Sequence, residues 1–315
     1  MDLSPSRPGS IVVPSVLTWA GTEPVVTFSE LDVACLAEPF WHQSLARAHR
    51  IVGLASLDTL DRDVGDLRLA GAIHHMTRCG STLLVRQFSA LPDTIAISEP
   101  FVFQHLLEGP AAAPEVTRRR LRLLAVLHRD ALAPIADRWV VKWSSLLCLH
   151  ALRMAEAFPE VPAIFLHRDG LQVLTSIARA PLGGLQFLEA RHLREPVDAD
   201  EFARIAAHPM ELWARTIAAS CRAIADVPGV RALDYADLPS AGWEHVGRYF
   251  GFDLDADARA AMRNVSAYHS KNGQAYGVED AARWPAADME CEVLAANFVE
   301  PARQAAVKNL SELLG

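Results

Sequence analysis

Residues Gly71–Pro100 decide how this chain folds. They read Gly-Ala-Ile-His-His-Met-Thr-Arg-Cys-Gly-Ser-Thr-Leu-Leu (71–84), Val-Arg-Gln-Phe-Ser-Ala (85–90) and Leu-Pro-Asp-Thr-Ile-Ala-Ile-Ser-Glu-Pro (91–100). Ala70–Met76 is short, apolar and free of proline, the pattern of a buried parallel strand. Thr77–Thr82 is small and polar. From Ser81 onward Leu83, Leu84, Phe88 and Leu91 recur at helical spacing, and Pro92 ends the run. A strand, a tight polar turn and a helix together aim backbone N–H groups at an anion. Thr94–Ile97 predicts a second strand, with Glu99 just past its end. Ligands of open α/β sheets lie beyond the carboxyl ends of strands. The Arg78 loop and Glu99 are therefore expected to line one cleft.

Outward from this stretch, apolar runs and helical periodicities alternate. Trp139–Trp143, Ala163–His167 and Val230–Tyr235 predict three further strands. Val116–Leu132, Leu146–Phe158, Leu171–Ala180 and Glu201–Ala225 predict helices, and Glu290–Leu314 a closing helix bent at Pro301. This alternation implies a central parallel sheet covered by helices on both faces. Before it, residues 1–66 show no strong strand pattern; Phe28–Leu36 and Phe40–His49 read as two short helices. The expected organisation is a small helical N-terminal extension (1–66) on an α/β domain (67–315). Pro181–Pro196 reads as a loop or lid, and Asn264–Val278 as a polar loop. Arg118, Arg119, Arg120 and Arg122 fall on one predicted helix and read as its solvated basic face.

The 315 residues are 51% hydrophobic, enough for one sizeable core. No run reaches the length of a membrane span, and the N-terminus lacks the pattern of a signal peptide. The five cysteines are scattered singly, without metal-ligand pairing, which reads as reduced thiols in the cytoplasm. A formal net charge of -8 argues against nucleic-acid binding. No metal, nucleic-acid or membrane partner is expected, and no feature sets an oligomeric state.

Against a Walker A loop, Gly80 is followed by the hydroxyls of Ser81 and Thr82, but the lysine is missing and His75 replaces the first glycine. Arg78 supplies a cation instead. The loop suits a phosphate-like group held by Arg78, backbone N–H groups and two hydroxyls better than it suits ATP. Cys79 could be a nucleophile with a depressed pKa at a helix start, or a small packing residue; the spacing to Arg86 favours packing. Arg168 ends a strand and Ser176 lies eight residues on, about two helical turns, so both can face one phosphate. Arg168–Asp169 could equally be a local ion pair. Lys142 sits in the apolar run Val-Val-Lys-Trp, where a charge costs energy unless it serves something. Glu99 could cap the following helix as an N-terminal acid. His74 and His75 alternate across the strand, so one can look into the cleft, although packing is the simpler role for each. Trp41, Phe103 and Trp143 could line a pocket, with core packing favoured.

These residues resemble the sulfotransferases that use 3′-phosphoadenosine-5′-phosphosulfate (PAPS). Arg78-Cys79-Gly80-Ser81-Thr82 is similar to the family's first loop, Arg168-Asp169 with Ser176 to its second signature, and Leu233–Leu238 to a segment near the end of its sheet. The resemblance implies a P-loop-like α/β architecture and transfer of a sulfuryl group to a hydroxyl or amine on a small-molecule or carrier-bound acceptor. It implies that Arg78, Cys79, Gly80, Ser81 and Thr82 hold the 5′-phosphosulfate and that Arg168 and Ser176 hold the 3′-phosphate, with Lys271 completing that site. Lys142 matches the lysine that neutralises the leaving phosphate. Ser144 stands where one branch has a histidine base, so the base role passes to Glu99, as in the tyrosylprotein branch. A P-loop kinase or other nucleotide phosphotransferase, and a non-catalytic nucleotide-binding protein, remain the alternatives.

Overall fold

The fold is that of a computed structural model, described for residues 4–182, 188–238, 242–265 and 288–314. The chain begins with two antiparallel strands, β1 (Ser10–Ala20) and β2 (Glu23–Asp32), joined at Gly21, whose φ of 66° suits a tight hairpin. After a short helix, α1 (Trp41–Ala46), strand β3 (Arg50–Ser56) pairs with the other edge of β2. The segment expected to be helical is thus a three-stranded sheet; of the two predicted helices only the second exists, as α1. Phe28–Asp32 ends β2, and Val33–Ala37 is a single 3-10 turn. The strand signal was masked physically. Pro14 sits beside a register irregularity in edge strand β1, where a missing N–H is tolerated, and the first six residues of β1 are buried in succession without alternation.

A second sheet follows, built from β4 (Leu69–His75), β5 (Thr94–Ser98), β6 (Arg138–Lys142), β7 (Ala163–His167) and β8 (Val230–Asp234), with a two-residue strand β9 (Ser311–Glu312) at its edge. All pairs are parallel, in the order β5-β6-β4-β7-β8-β9. The central parallel sheet flanked by helices is therefore the one expected. The middles of its inner strands are apolar because both faces are covered: Val140, Val141, Ile164, Phe165 and Leu166 are fully buried. Alternation splits the core. Ile73 and Val140 join one apolar cluster; Ala72 and Val141 join the other, which also contains Ile11, Val13, Phe28 and Leu31 of the N-terminal sheet. The N-terminal strands thus share a core with one face of the main sheet. Strand order reverses about β4, which places a crevice at the carboxyl ends there.

Between these strands run α2 (Ser81–Phe88), α3 (Phe101–Glu108), α4 (Pro114–Leu132), α5 (Ala151–Ala157) and α6 (Gly170–Arg179). The single helix expected over Glu201–Ala225 is two, α7 (Ala199–Ala206) and α8 (Pro209–Ile224), because Pro209 has no N–H to continue a helix and instead starts the next one. At the C-terminus the interruption is a π-helical turn, Ala295–Val299, ahead of Pro301, and the chain ends in β9 rather than helix. The arginines of α4 are not merely solvated. Arg120 is 7% exposed and pairs with Asp58 at 2.5 Å, and Arg122 donates to the carbonyls of Val64, Gly65 and Ala157. They clamp the connector between the two sheets. Among the described residues no helix is long and apolar enough to cross a membrane.

Candidate active site

The site is assembled by strand ends. Register places Ile73, Lys142 and Ser98 side by side on β4, β6 and β5, so the residues that follow emerge together. Glu99, one residue past β5, donates its N–H to the Lys142 carbonyl at 2.7 Å, and its Oε1 lies 2.7 Å from Lys142 Nζ. The lysine side chain is 1% exposed and the glutamate 19%. Burial pushes the Glu99 carboxyl up, but the Lys142 ammonium, His75 and the Lys142 hydrogen bond together outweigh it and hold the group below its ordinary value. Glu99 is a carboxylate whose basicity is restrained by its partner. Lys142 Nζ also sits 4.9 Å from the centre of the Phe40 ring.

His75 ends β4 beside this pair. Its Nε2 is 3.0 Å from the Trp143 carbonyl and 3.8 Å from Glu99 Oε1, and its Nδ1 is 3.1 Å from the Met76 carbonyl. Burial first, then Lys142, pushes its pKa down to about 4, so at neutral pH the ring is uncharged. His74 points to the other side of the sheet, into a separate cavity.

The turn after β4 is built for close approach. Gly80 caps α2 with φ 81°, and a Cβ there would lie 2.3 Å from the Tyr235 ring. Ser81 and Thr82 then open the helix, both buried. Arg78 is left-handed too, with φ 58°, as is Glu99 at 59°. Such conformations cost about 1–3 kcal/mol each in non-glycine residues and cluster at functional sites. Arg78 donates to the Ala180 carbonyl, while its Nε is buried without a partner among the described residues. Cys79 is fully buried, and burial pushes its thiol up to about 12; it is a packing residue, not a nucleophile.

Arg168 follows β7. It donates from Nη1 to the Arg78 carbonyl at 3.4 Å and from Nε to Gln172 at 2.9 Å, with its guanidinium 4.4 Å from the Tyr235 ring centre. Tyr235 thus touches both loops. Asp169 does not pair with Arg168; its Oδ1 caps α6 by accepting from Gln172 N. Ser144 is also a cap, accepting from Leu146 N and donating to Gln104.

Arg78, Cys79, Gly80, Ser81, Thr82, Glu99, Lys142, Arg168 and Ser176 all line one cavity of about 1030 Å³. Its volume is at the upper end of the range for small-molecule sites. Lys271 and Ser270 lie outside the described residues. Of the described residues of the 181–196 loop, Pro181, Leu182, Glu189 and Arg191 reach this cavity. Trp41, Phe103 and Trp143 are core residues, at most 3% exposed. The sequence reading missed Phe40, His42, Phe101 and His105, which line the same cavity, and Trp213 on α8.

No family model matches this chain, and no curated protein matches it in sequence. Solved structures of similar fold include a sulfotransferase from Alicyclobacillus acidocaldarius, at 19% identity and TM-score 0.37, over 66% of this chain and 94% of that one. A sulfotransferase from Mycobacterium avium aligns at 16% identity and TM-score 0.44, over 79% and 78%. A sulfotransferase domain from the curacin biosynthetic pathway aligns at 14% and 0.39, over 75% and 88%. The residues of the cavity, rather than likenesses of this order, decide the chemistry considered next.

Proposed function

We propose that the protein is a PAPS-dependent sulfotransferase acting on a hydroxyl or amine. One observation carries the reading: the Arg78–Thr82 turn, Arg168 with Ser176, and the Lys142–Glu99 pair all open into a single cavity. The residues fit the nucleotide. Arg78 presents a buried Nε without a partner among the described residues, and the left-handed Gly80 clears the approach to the α2 N-terminus. PAPS, when bound, supplies the sulfuryl group: the acceptor atom forms a bond to sulfur as the bond from sulfur to the 5′-phosphate oxygen breaks, releasing adenosine 3′,5′-bisphosphate.

Arg78 and the N–H groups of Gly80–Thr82 hold the 5′ end, and Arg168 and Ser176 the 3′-phosphate. Lys142 turns its ammonium from Glu99 toward the charge that develops on the leaving phosphate. That same movement removes the cation that restrains Glu99. Its burial then raises the carboxyl's basicity, and Glu99 takes the acceptor's proton. The pair is thus a resting state in which base and electrophile neutralise each other. Supplying ³⁵S-labelled PAPS with a broad panel of hydroxyl and amine acceptors tests this. Labelled product that is lost in Lys142→Ala supports it. Label that never leaves PAPS, or phosphorylated product from ATP-Mg²⁺, refutes it.

A further inference from the structure

The acceptor end of the cavity carries a run of four rings. Phe40, at the start of α1, stacks on His42 at 5.6 Å and 20°; His42 on Phe101 at 6.0 Å and 28°; Phe101 on His105 at 6.4 Å and 16°. These separations and small angles are those of offset stacking. Phe101 and His105 share a face of α3 because they are four residues apart. All four rings line the cavity; His42 and His105 are exposed, and Phe40 and Phe101 half-buried. Most other aromatic side chains nearby, such as Trp41, Phe103 and Trp143, are core. The run begins at the reacting pair, since Phe40 is the ring beneath Lys142 and Phe101 follows Glu99 by two residues.

We propose that Phe40 and His42, supplied by the N-terminal segment, are specificity-determining residues, and that with Phe101 and His105 they select an acceptor whose hydroxyl is borne by a flat, unsaturated ring. Rings left facing a cavity expose apolar area that a stacked ligand ring covers. A flat ring continues the run by offset stacking or edge contact, which a puckered saturated ring does poorly. The N-terminal sheet then has a function beyond sharing a core: it holds α1 so that two rings stand over the base. This proposal rests on the sulfotransferase reading of the site.

The probes are 2-naphthol and its saturated counterpart, decahydro-2-naphthol, titrated calorimetrically into the full chain with and without adenosine 3′,5′-bisphosphate. The expected result is naphthol binding about threefold to tenfold tighter, the range a good aromatic pair supplies. Phe40→Leu and His42→Leu should each remove most of that preference while weakening decahydronaphthol less than about twofold. His42 is exposed, so its variant keeps the fold even where Phe40→Leu loses it. Equal binding of the two probes by the wild type, or equal weakening of both by His42→Leu, overturns the proposal. The bisphosphate arm is read separately. Failure to bind the nucleotide refutes the sulfotransferase reading, whereas the ring preference and its loss in the variants decide the wall in either arm.

Discussion

Replacing Lys142 by Met leaves the strand end filled by a side chain of similar length but strands Glu99 beside it. In the wild type the carboxylate is 2.7 Å from Nζ and 19% exposed. Without the cation, burial, the largest single influence, is opposed only by His75 and His42, and the Glu99 pKa is expected to rise above the ordinary value of 4.5. The carboxylate can escape by taking a proton, and that bounds the damage. Holding a group of pKa 4.5 neutral at pH 7 costs about 3.4 kcal/mol, at about 1.4 kcal/mol per pH unit. Partial access to cavity water lowers the expected loss to about 2 kcal/mol. The sign with pH follows from proton binding. In the wild type the depressed pKa contributes stability above pH 4.5 that is lost as pH falls through the folded value. In the variant the raised pKa makes the folded state bind the extra proton, so stability is lost as pH rises above 4.5. The gap between the two proteins therefore widens from pH 5 to pH 7, at no more than about 1.4 kcal/mol per unit. Urea unfolding at pH 5, 6 and 7 reads it directly. Lys142→Met/Glu99→Gln should erase the pH dependence. A gap that is constant across this range, or that narrows with rising pH, refutes the description of Glu99 as a buried carboxylate held ionised by Lys142.

Three other outcomes follow from the geometry. Glu99→Gln should lower kcat for sulfuryl transfer by about 10²–10⁴, the scale of a general base, while calorimetry shows nucleotide affinity within about twofold of wild type. Gly80→Ala meets both a φ of 81° and the Tyr235 ring 2.3 Å from the new Cβ; melting should show a loss of about 2 kcal/mol or more, with weakened nucleotide binding. Glu30 is buried in the N-terminal sheet. Burial raises its pKa, but hydrogen bonds from Arg50 and Ser6 bring it down to about 2. Its stabilisation is present above the ordinary carboxylate value and lost as pH falls toward 2, so Glu30→Gln should flatten the acid limb of a stability–pH curve between pH 4.5 and 2.

The parallel sheet was legible because its buried strands are short proline-free apolar runs separated by helical periodicity, and because a charge inside Val-Val-Lys-Trp advertises Lys142. Even the meeting of Lys142 with Glu99 follows from two strand ends on adjacent strands. The N-terminal sheet was hidden by Pro14 and by a strand buried on both faces, which erases alternation. The split at Pro209 was readable from proline's missing donor, yet it lay inside one continuous apolar periodicity. The aromatic wall could not be read, because its rings come from segments about sixty residues apart, and only packing of the N-terminal strands on α3 and α4 brings them together. Arg122 shows the converse: a basic residue in a charged run turned out to hold three carbonyls of the connector and of α5. A charge run specifies solubility only until a loop needs donors.

The most direct test of the central claim is calorimetric binding of adenosine 3′,5′-bisphosphate, beside adenosine 5′-phosphate and ATP-Mg²⁺, on the wild type and Arg168→Ala. The expected result is tight binding that requires the 3′-phosphate and that weakens by about 1.5–3 kcal/mol in the variant, as loss of a charge-assisted hydrogen bond gives. No binding, or a preference for ATP-Mg²⁺ that ignores Arg168, would contradict the assignment of the two loops and put a nucleotide phosphotransferase in its place.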